Sequence, residues 1–473
     1  MDRINEVLLS IVSSINTYLS NYVLLIMLIG CGLLFSLRTK FVQIRCFGEG
    51  FKRVFGNVKI FGGKQIGGLS SFQALATAIA AQVGTGNIVG ACGAILVGGP
   101  GAIFWMWVIA FFGMATIYGE AVLAQETREI DIDGTVAGGP VYYIKKAFNN
   151  KFGKLLACFF SVAATLALGF MGAMVQSNSI AEACNTALGV PNWIIGIVVS
   201  VVAGFIFLGG VQRIASVTEK LVPLMAGLYL VGGIVILIWR AKYIPETFGM
   251  IFKFAFQPQA IIGGSFGAAI TAAITQGAKR GLFSNEAGMG STPHAHALAN
   301  VEKPHDQGVA AMIGVFIDTF VVLTMTALIV ISSLYTGDGV LAGITHSGTN
   351  DFAAAAEALG VTKNNMAQVA FQGLLGDKVG GIFVAICLLF FAFSTIISWN
   401  YFGKINFEYL FGKKLSVIYS VIAVLFVFTG SILSSNLVWE LTDMFNNLMV
   451  IPNVIAIVAL SGIVAASAKN KKK

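Results

Sequence analysis

Long apolar runs separated by short polar stretches dominate this chain, and windows of about 19 residues pick out eleven of them. They lie near 18–37, 72–99, 100–125, 154–187, 193–210, 217–240, 260–280, 309–335, 378–405, 414–431 and 436–465. A helix rising about 1.5 Å per residue needs about 20 apolar residues to cross roughly 30 Å of hydrocarbon. Each run therefore predicts a membrane-crossing helix, and several are long enough to require tilt or interruption. The run at 18–37 is too long for a signal-peptide core and has no small-residue cleavage site after it, so it is expected to remain as a helix.

Composition agrees with the pattern. The 473 residues are 56% hydrophobic and 11% charged, against roughly 25% charged in a soluble domain, which excludes a water-soluble fold of this size. Cys31, Cys46, Cys92, Cys158, Cys184 and Cys387 fall mostly inside apolar runs without metal-ligand spacing and read as reduced packing residues.

The net charge of +8 could suggest nucleic acid, but its placement argues for a membrane. If the N-terminus is outside and the chain crosses eleven times, 24 of the 30 Lys and Arg residues fall in cytoplasmic segments. Arg3, Arg240, Lys242, Lys253, Lys363 and Lys378 are left outside. The positive-inside rule then predicts a multi-pass protein of a prokaryotic inner membrane, N-terminus out and C-terminus in. The basic tail at 469–473 suits anionic lipid, so neither a nucleic-acid partner nor an obligate protein partner is expected. The external loop at 336–377 contains an amphipathic stretch, 350–360, which reads either as an outer lid or as a plain connector.

Glycines at mid-depth change the picture further. An unpaired backbone group in hydrocarbon costs several kcal/mol, so a loosened helix survives there only where protein, ligand or water replaces the missing bonds. Gly84-Thr85-Gly86-Asn87, preceded by Gln82, is one such cluster, and Gly263-Gly264-Ser265-Phe266-Gly267 is a second. Each sits in the first helix of a five-helix unit, and an odd number of crossings makes the two units opposite in topology. The expected architecture is all-α: an extra helix and basic linker over 1–65, a first repeat over 66–240, a second over 241–465 and a basic tail over 466–473. Close helix packing is the competing explanation, and it is preferred for Gly98-Gly99-Pro100-Gly101 at a turn.

Several stretches then carry a resemblance. VGTGNIVGACGAILVGGPGAIFWM at 83–106, GMATIYGEAVLAQ at 113–125, GGPVYYI at 138–144, RGLFSNEAGMGSTPHAHA at 280–297 and WELTDMFNNLMVIPN at 439–453 resemble the alanine or glycine:cation symporters. That resemblance implies the five-plus-five inverted repeat of leucine-transporter type with one preceding helix. It also implies sodium as coupling ion, alanine or glycine as substrate, and no further cofactor.

Chemistry suggests roles. A zwitterionic amino acid needs N–H donors opposite carbonyl acceptors, and a broken helix offers both. The Thr85 and Gly86 amides are assigned to the carboxylate, with Gly264, Ser265, Phe266 and Gly267 as opposing wall and Gln82 and Asn87 as candidate side-chain ligands. By analogy with the fold, the Ala80, Val83 and Phe391 carbonyls and the Ser394 and Thr395 hydroxyls form a sodium site, although those hydroxyls could also satisfy their own helix. On the family's pattern Trp399 floors the substrate pocket and Phe170 caps it.

A proton-coupled carrier of the same fold is the alternative, but core helices one, six and eight hold no titratable group within their apolar stretches. Glu120, Glu182, Asp318, Glu440 and Asp443 are reserve candidates, with Glu120 and Glu286 read as cytoplasmic-side gating or structural groups. His294 and His296, two residues apart, cannot chelate one metal on a helix and are expected in the cytoplasmic loop after core helix six. No nucleophile with a base is visible, so an enzyme is not expected.

Overall fold

A computed structural model describes residues 2–56, 69–130, 136–256, 266–342 and 352–469. The chain is built almost entirely of helices: α1 (Glu6–Arg38), α2 (Phe47–Phe55), α3 (Ser71–Gln82), α4 (Gly86–Gly98), α5 (Ala102–Thr127), α6 (Lys151–Leu188), α7 (Asn192–Phe207) and α8 (Gly210–Trp239). After them come α9 (Ile244–Phe256), α10 (Phe266–Asn285), α11 (Pro293–His296), α12 (Pro304–Tyr335), α13 (Asp377–Phe411), α14 (Lys413–Ile432) and α15 (Ser435–Ala459). A two-stranded hairpin, Glu129–Ile130 with Val136–Ala137, joins α5 to the next segment.

Among the described residues, eight helices are long and apolar enough to cross a membrane, and α3 with α4 makes a ninth crossing bent by 45° at its break. The remaining expected crossings correspond to α7 and to α10, which runs on to Asn285, beyond the expected end at 280.

Local chemistry explains the boundaries. The Ser70 hydroxyl accepts from the Gln73 amide at 3.1 Å while the Gln73 side chain accepts from the Ser70 amide at 3.2 Å, a capping box that starts α3. Gly99, at φ 72°, ends α4, and Gly189, at φ 68°, ends α6 in the left-handed conformation that glycine adopts without strain.

Helices differ in what they face. The most apolar windows of α8 and α14 are 28% and 33% buried, against 67% for α5 and α13, so the first two present their sides to hydrocarbon. Inside that rim α5 packs on α12 and α10, α6 packs on α13, and α3 lies between α8 and α13. The broken crossing α3–α4 thus occupies the centre of the molecule, where Ala78 to Ala91 are all buried.

Lys279 and Arg280 depart from the sequence-based topology. Counted above among cytoplasmic charges, they lie within α10, Arg280 stacking on Trp439 at 4.6 Å and pairing with Asp443 at 3.1 Å. Lys363, in the long loop counted as external, approaches the same Trp439 ring at 5.2 Å. The two cations move because α10 is longer than its apolar run and buried carboxylates on α15 accept them.

Candidate functional site

The last regular bond of α3 runs from the Val83 amide to the Ile79 carbonyl at 2.7 Å. Beyond it the chain turns through Val83–Thr85, and side chains take over the interrupted ladder. Gly84 N donates to Asn87 Oδ1 at 2.9 Å, and the Thr85 amide and hydroxyl donate to Gln176 Oε1 on α6 at 3.1 and 2.5 Å. These bonds satisfy the backbone groups that a broken helix exposes.

The oxygens expected at the ion site converge beside this break. Ser394 Oγ donates to the Ala80 carbonyl at 3.2 Å and the Phe391 carbonyl at 2.8 Å. Thr395 Oγ1 lies 3.0 Å from Ala80 O, 3.2 Å from Ala81 O and 3.2 Å from Phe391 O. Four of the five named groups meet, and the Ala81 carbonyl joins them. A Cβ on Gly84 would collide with Thr395 Oγ1, which is why a glycine stands there.

A second interruption follows α10. Glu286 adopts φ 59°, Gly288 φ 93° and Gly290 φ 81°, so the chain leaves the helix at Asn285 and resumes it at Pro293. The stretch 263–265 lies outside the described residues, as do the side chains of Phe266 and Gly267 at the start of α10. Among the described residues, the segment that meets the first break comes from the other end of α10. A Cβ on Gly86 would touch Phe283 and Ser284, and Gln82 Nε2 donates to the Asn285 carbonyl at 2.8 Å. Gln82 is thus a bridge between the two interruptions.

Trp399 Nε1 donates to Glu286 Oε1 at 2.5 Å, its ring lies 5.7 Å from Phe283, and Ser291 donates to the same carboxylate. Phe170, expected as a cap, stacks on Phe426 at 4.8 Å and on Tyr419 at 5.5 Å, both on α14. Asn87 Nδ2 donates to Asp318 Oδ1 at 2.6 Å, and Ser284 Oγ reaches both oxygens of that carboxylate at 2.9 Å.

Three features beside the breaks were not expected from the sequence: Gln176, Phe283 and the direct contact of Asp318 with Asn87. Gln176 opens the run Gln176-Ser177-Asn178-Ser179 inside an apolar span, a signal that was available but did not single out one residue. Its Nε2 is buried and has no hydrogen-bond partner among the described residues. Glu120 accepts from the Gly288 and Gly290 amides, each at 3.1 Å, and from Asn453 Nδ2 at 2.6 Å, so it holds the second interruption. His294 and His296 are buried and bond different partners, Asn406 at 2.9 Å and Gln307 at 2.8 Å.

On one side of the breaks a cavity of about 520 Å³ opens among Leu69, His294, Asn400, Tyr401, Lys404 and Glu408. On the other side Lys279 and Arg280 pair with Asp443 at 2.8 and 3.1 Å, and Trp439 stacks on Phe283 at 4.8 Å. The cavity and the paired charges thus involve different residues around the breaks.

Comparison with known proteins follows the same lines. The model of the sodium:alanine symporter family matches residues 5–473. A sodium/alanine symporter of Methanococcus maripaludis is 40% identical over 461 residues, covering 97% of this chain and 96% of that protein. A putative sodium/proton-dependent alanine carrier protein of Bacillus subtilis is 37% identical over 463 residues, covering 95% and 90%. The solved structure of MhsT in complex with L-phenylalanine superposes with a TM-score of 0.56 at 15% identity, covering 86% of this chain and all of that one.

Proposed function

Since this chain belongs to the sodium:alanine symporter family and is a secondary transporter with a leucine-transporter-type fold, not an enzyme, we propose that it carries sodium inward together with a small neutral amino acid, alanine or glycine. The observation that carries this reading is the break at Val83–Thr85 laid against the oxygens of Ala80, Ala81, Phe391, Ser394 and Thr395. Carbonyl and hydroxyl oxygens without a formal charge suit a hard monovalent cation, and Val83 O is the natural further ligand. The Gly86 amide takes the carboxylate, and the Thr85 amide, bonded here to Gln176 Oε1, turns to it when substrate binds. Gln176 Nε2 gains through that carboxylate the acceptor it lacks, because a buried donor left unpaired is costly.

Phe283, Ser284 and Glu286 join Gly264, Ser265, Phe266 and Gly267 in the opposing wall, and Trp399 forms the floor, so two aromatic rings keep the space small. Sodium and substrate bind together at the breaks, the Lys279, Arg280 and Asp443 pairs open toward the outside, and the cavity lined by His294 and Tyr401 opens toward the cytoplasm. In this orientation the N-terminus is outside and the C-terminus inside. One positive charge moving inward across 100 mV releases about 2.3 kcal/mol, enough for roughly more than tenfold accumulation of a neutral zwitterion.

A second reading has an observation of its own. Asp318 places a buried carboxylate on Asn87, beside the break, where a proton could replace sodium. Uptake of labelled alanine into proteoliposomes separates the two. We expect uptake to vanish when potassium replaces sodium on both sides at fixed pH. Undiminished uptake in potassium, driven by a pH gradient and lost in Asp318→Asn, would sink sodium coupling and support the proton.

A further inference from the structure

We propose that Cys46, Glu49 and His305 bind a divalent transition metal ion of the zinc class at the membrane face that carries Leu69. The donors come from two elements: Cys46 at the N-cap position and Glu49 in the first turn of α2, and His305 as the second residue of α12. The thiol sulfur, a carboxylate oxygen and a ring nitrogen all lie within 4.8 Å of one another. His305 Nε2 and Glu49 Oε1 are 3.3 Å apart. A tetrahedral zinc ion with bonds of about 2.0–2.3 Å spaces its ligands by about 3.3–3.6 Å, so one edge is already set and the sulfur needs only a rotamer-scale approach.

The surroundings orient the donors. His305 Nδ1 is hydrogen-bonded to the Tyr118 hydroxyl at 2.7 Å, which turns Nε2 toward Glu49, as outer partners do at metal-bound histidines. Cys46 and Tyr118 are wholly buried and His305 is 4% exposed, while the Glu49 side chain keeps 29% of its surface and gives an ion its way in. Helix α2 is pressed onto α12, where a Cβ on Gly50 would stand 2.5 Å from the Val309 carbonyl, so the donors sit on a fixed frame.

Donor chemistry selects the ion. Sulfur, imidazole and a single carboxylate suit zinc or cobalt and not sodium, calcium or magnesium. Binding leaves a neutral imidazole, a carboxylate and a thiolate, with the Cys46 thiol proton released to solvent, so two negative charges meet a divalent ion. Solvent supplies the fourth ligand. The bound ion would clamp the linker helix α2 to the start of α12, the helix that carries Asp318.

Cobalt titration of the full-length protein in lipid nanodiscs tests this, in a Cys158→Ser background that removes the exposed thiol. We expect one cobalt ion per chain, a sulfur-to-cobalt charge-transfer band with tetrahedral ligand-field bands, and displacement by zinc with the band lost. Cys46→Ser should abolish the charge-transfer band, and the half-exposed Glu49→Gln, which leaves the buried frame intact, should weaken binding at least tenfold. No band in the parent protein, or equal cobalt affinity in the parent and both variants, would overturn the proposal and leave an ordinary His305–Glu49 contact beside a packing thiol.

Discussion

At the scale of single residues, the proposed ion site rests on Thr395, whose hydroxyl touches three carbonyls, two of them at the end of α3. Thr395→Ala should raise the sodium concentration for half-maximal uptake at least tenfold while changing alanine affinity less at saturating sodium. An equal loss at both would place Thr395 in general packing. Gln176→Ala should do the reverse, raising the KM for alanine with little change for sodium. The meeting of Ser394 and Thr395 with the Phe391 carbonyl was legible because the three share one helix face in an apolar run. Gln176 was not, because four consecutive polar residues point around the whole of α6 and only tertiary packing chooses the one that meets the break.

At the scale of elements, the broken crossing α3–α4 was readable from Gly84, Gly86 and their polar neighbours, since a sterically free backbone and spare polar groups occur there together. Gly263, Gly264 and Ser265 lie outside the described residues, and the interruption after α10 was less readable, since it puts Glu286, a residue with a Cβ, at φ 59°. Such a conformation costs roughly 1–2 kcal/mol outside glycine, so sequence rules steer away from it, and only outside partners make it stable. Glu120 is that partner, through the Gly288 and Gly290 amides. Glu120→Ala leaves two buried amides and Asn453 without this acceptor, and each such loss costs about 1–3 kcal/mol. We expect a melting temperature in detergent clearly below the parent's and below that of Glu120→Gln, which keeps one acceptor oxygen. Parent-like melting of Glu120→Ala would show that the second interruption holds its shape unaided.

At the scale of the whole molecule, the apolar pattern located the eight long crossings and the bent ninth seen among the described residues, because hydrocarbon thickness sets their length. It could not tell which face was open, since that depends on charges meeting across helices distant in sequence. Away from the cavity, Lys279, Arg280 and Lys363 crowd around Asp443 and Glu440. Burial pushes the Lys363 ammonium down to about 8, and Arg280 and Lys279 add to this against the pull of the two carboxylates. Its folded value thus lies below that of the unfolded chain, about 10.4. The charged lysine opposes folding below about pH 8, and that penalty is relieved as pH rises from there toward 10. The melting temperature of the parent should therefore rise relative to Lys363→Arg, which keeps its charge, between about pH 7.5 and 9.5. A constant difference between the two would mean that Lys363 is solvated as an ordinary surface lysine.

Those paired charges on one side and the cavity on the other make accessibility the property that distinguishes a transporter at rest from one at work. Ile405 lines the cavity among Tyr401, Lys404 and Glu408. In a Cys158→Ser background, Ile405→Cys should react with a membrane-impermeant maleimide added to inside-out vesicles and stay protected in right-side-out ones. If ion and solute stabilise the form in which this side closes, sodium with alanine together should slow that labelling severalfold, while either alone does less, because a ligand shifts an equilibrium only by its differential affinity for the two forms. Labelling confined to right-side-out vesicles would reverse the orientation derived from the basic loops. Labelling from the inner side at a rate indifferent to both ligands would separate the cavity from the transport cycle.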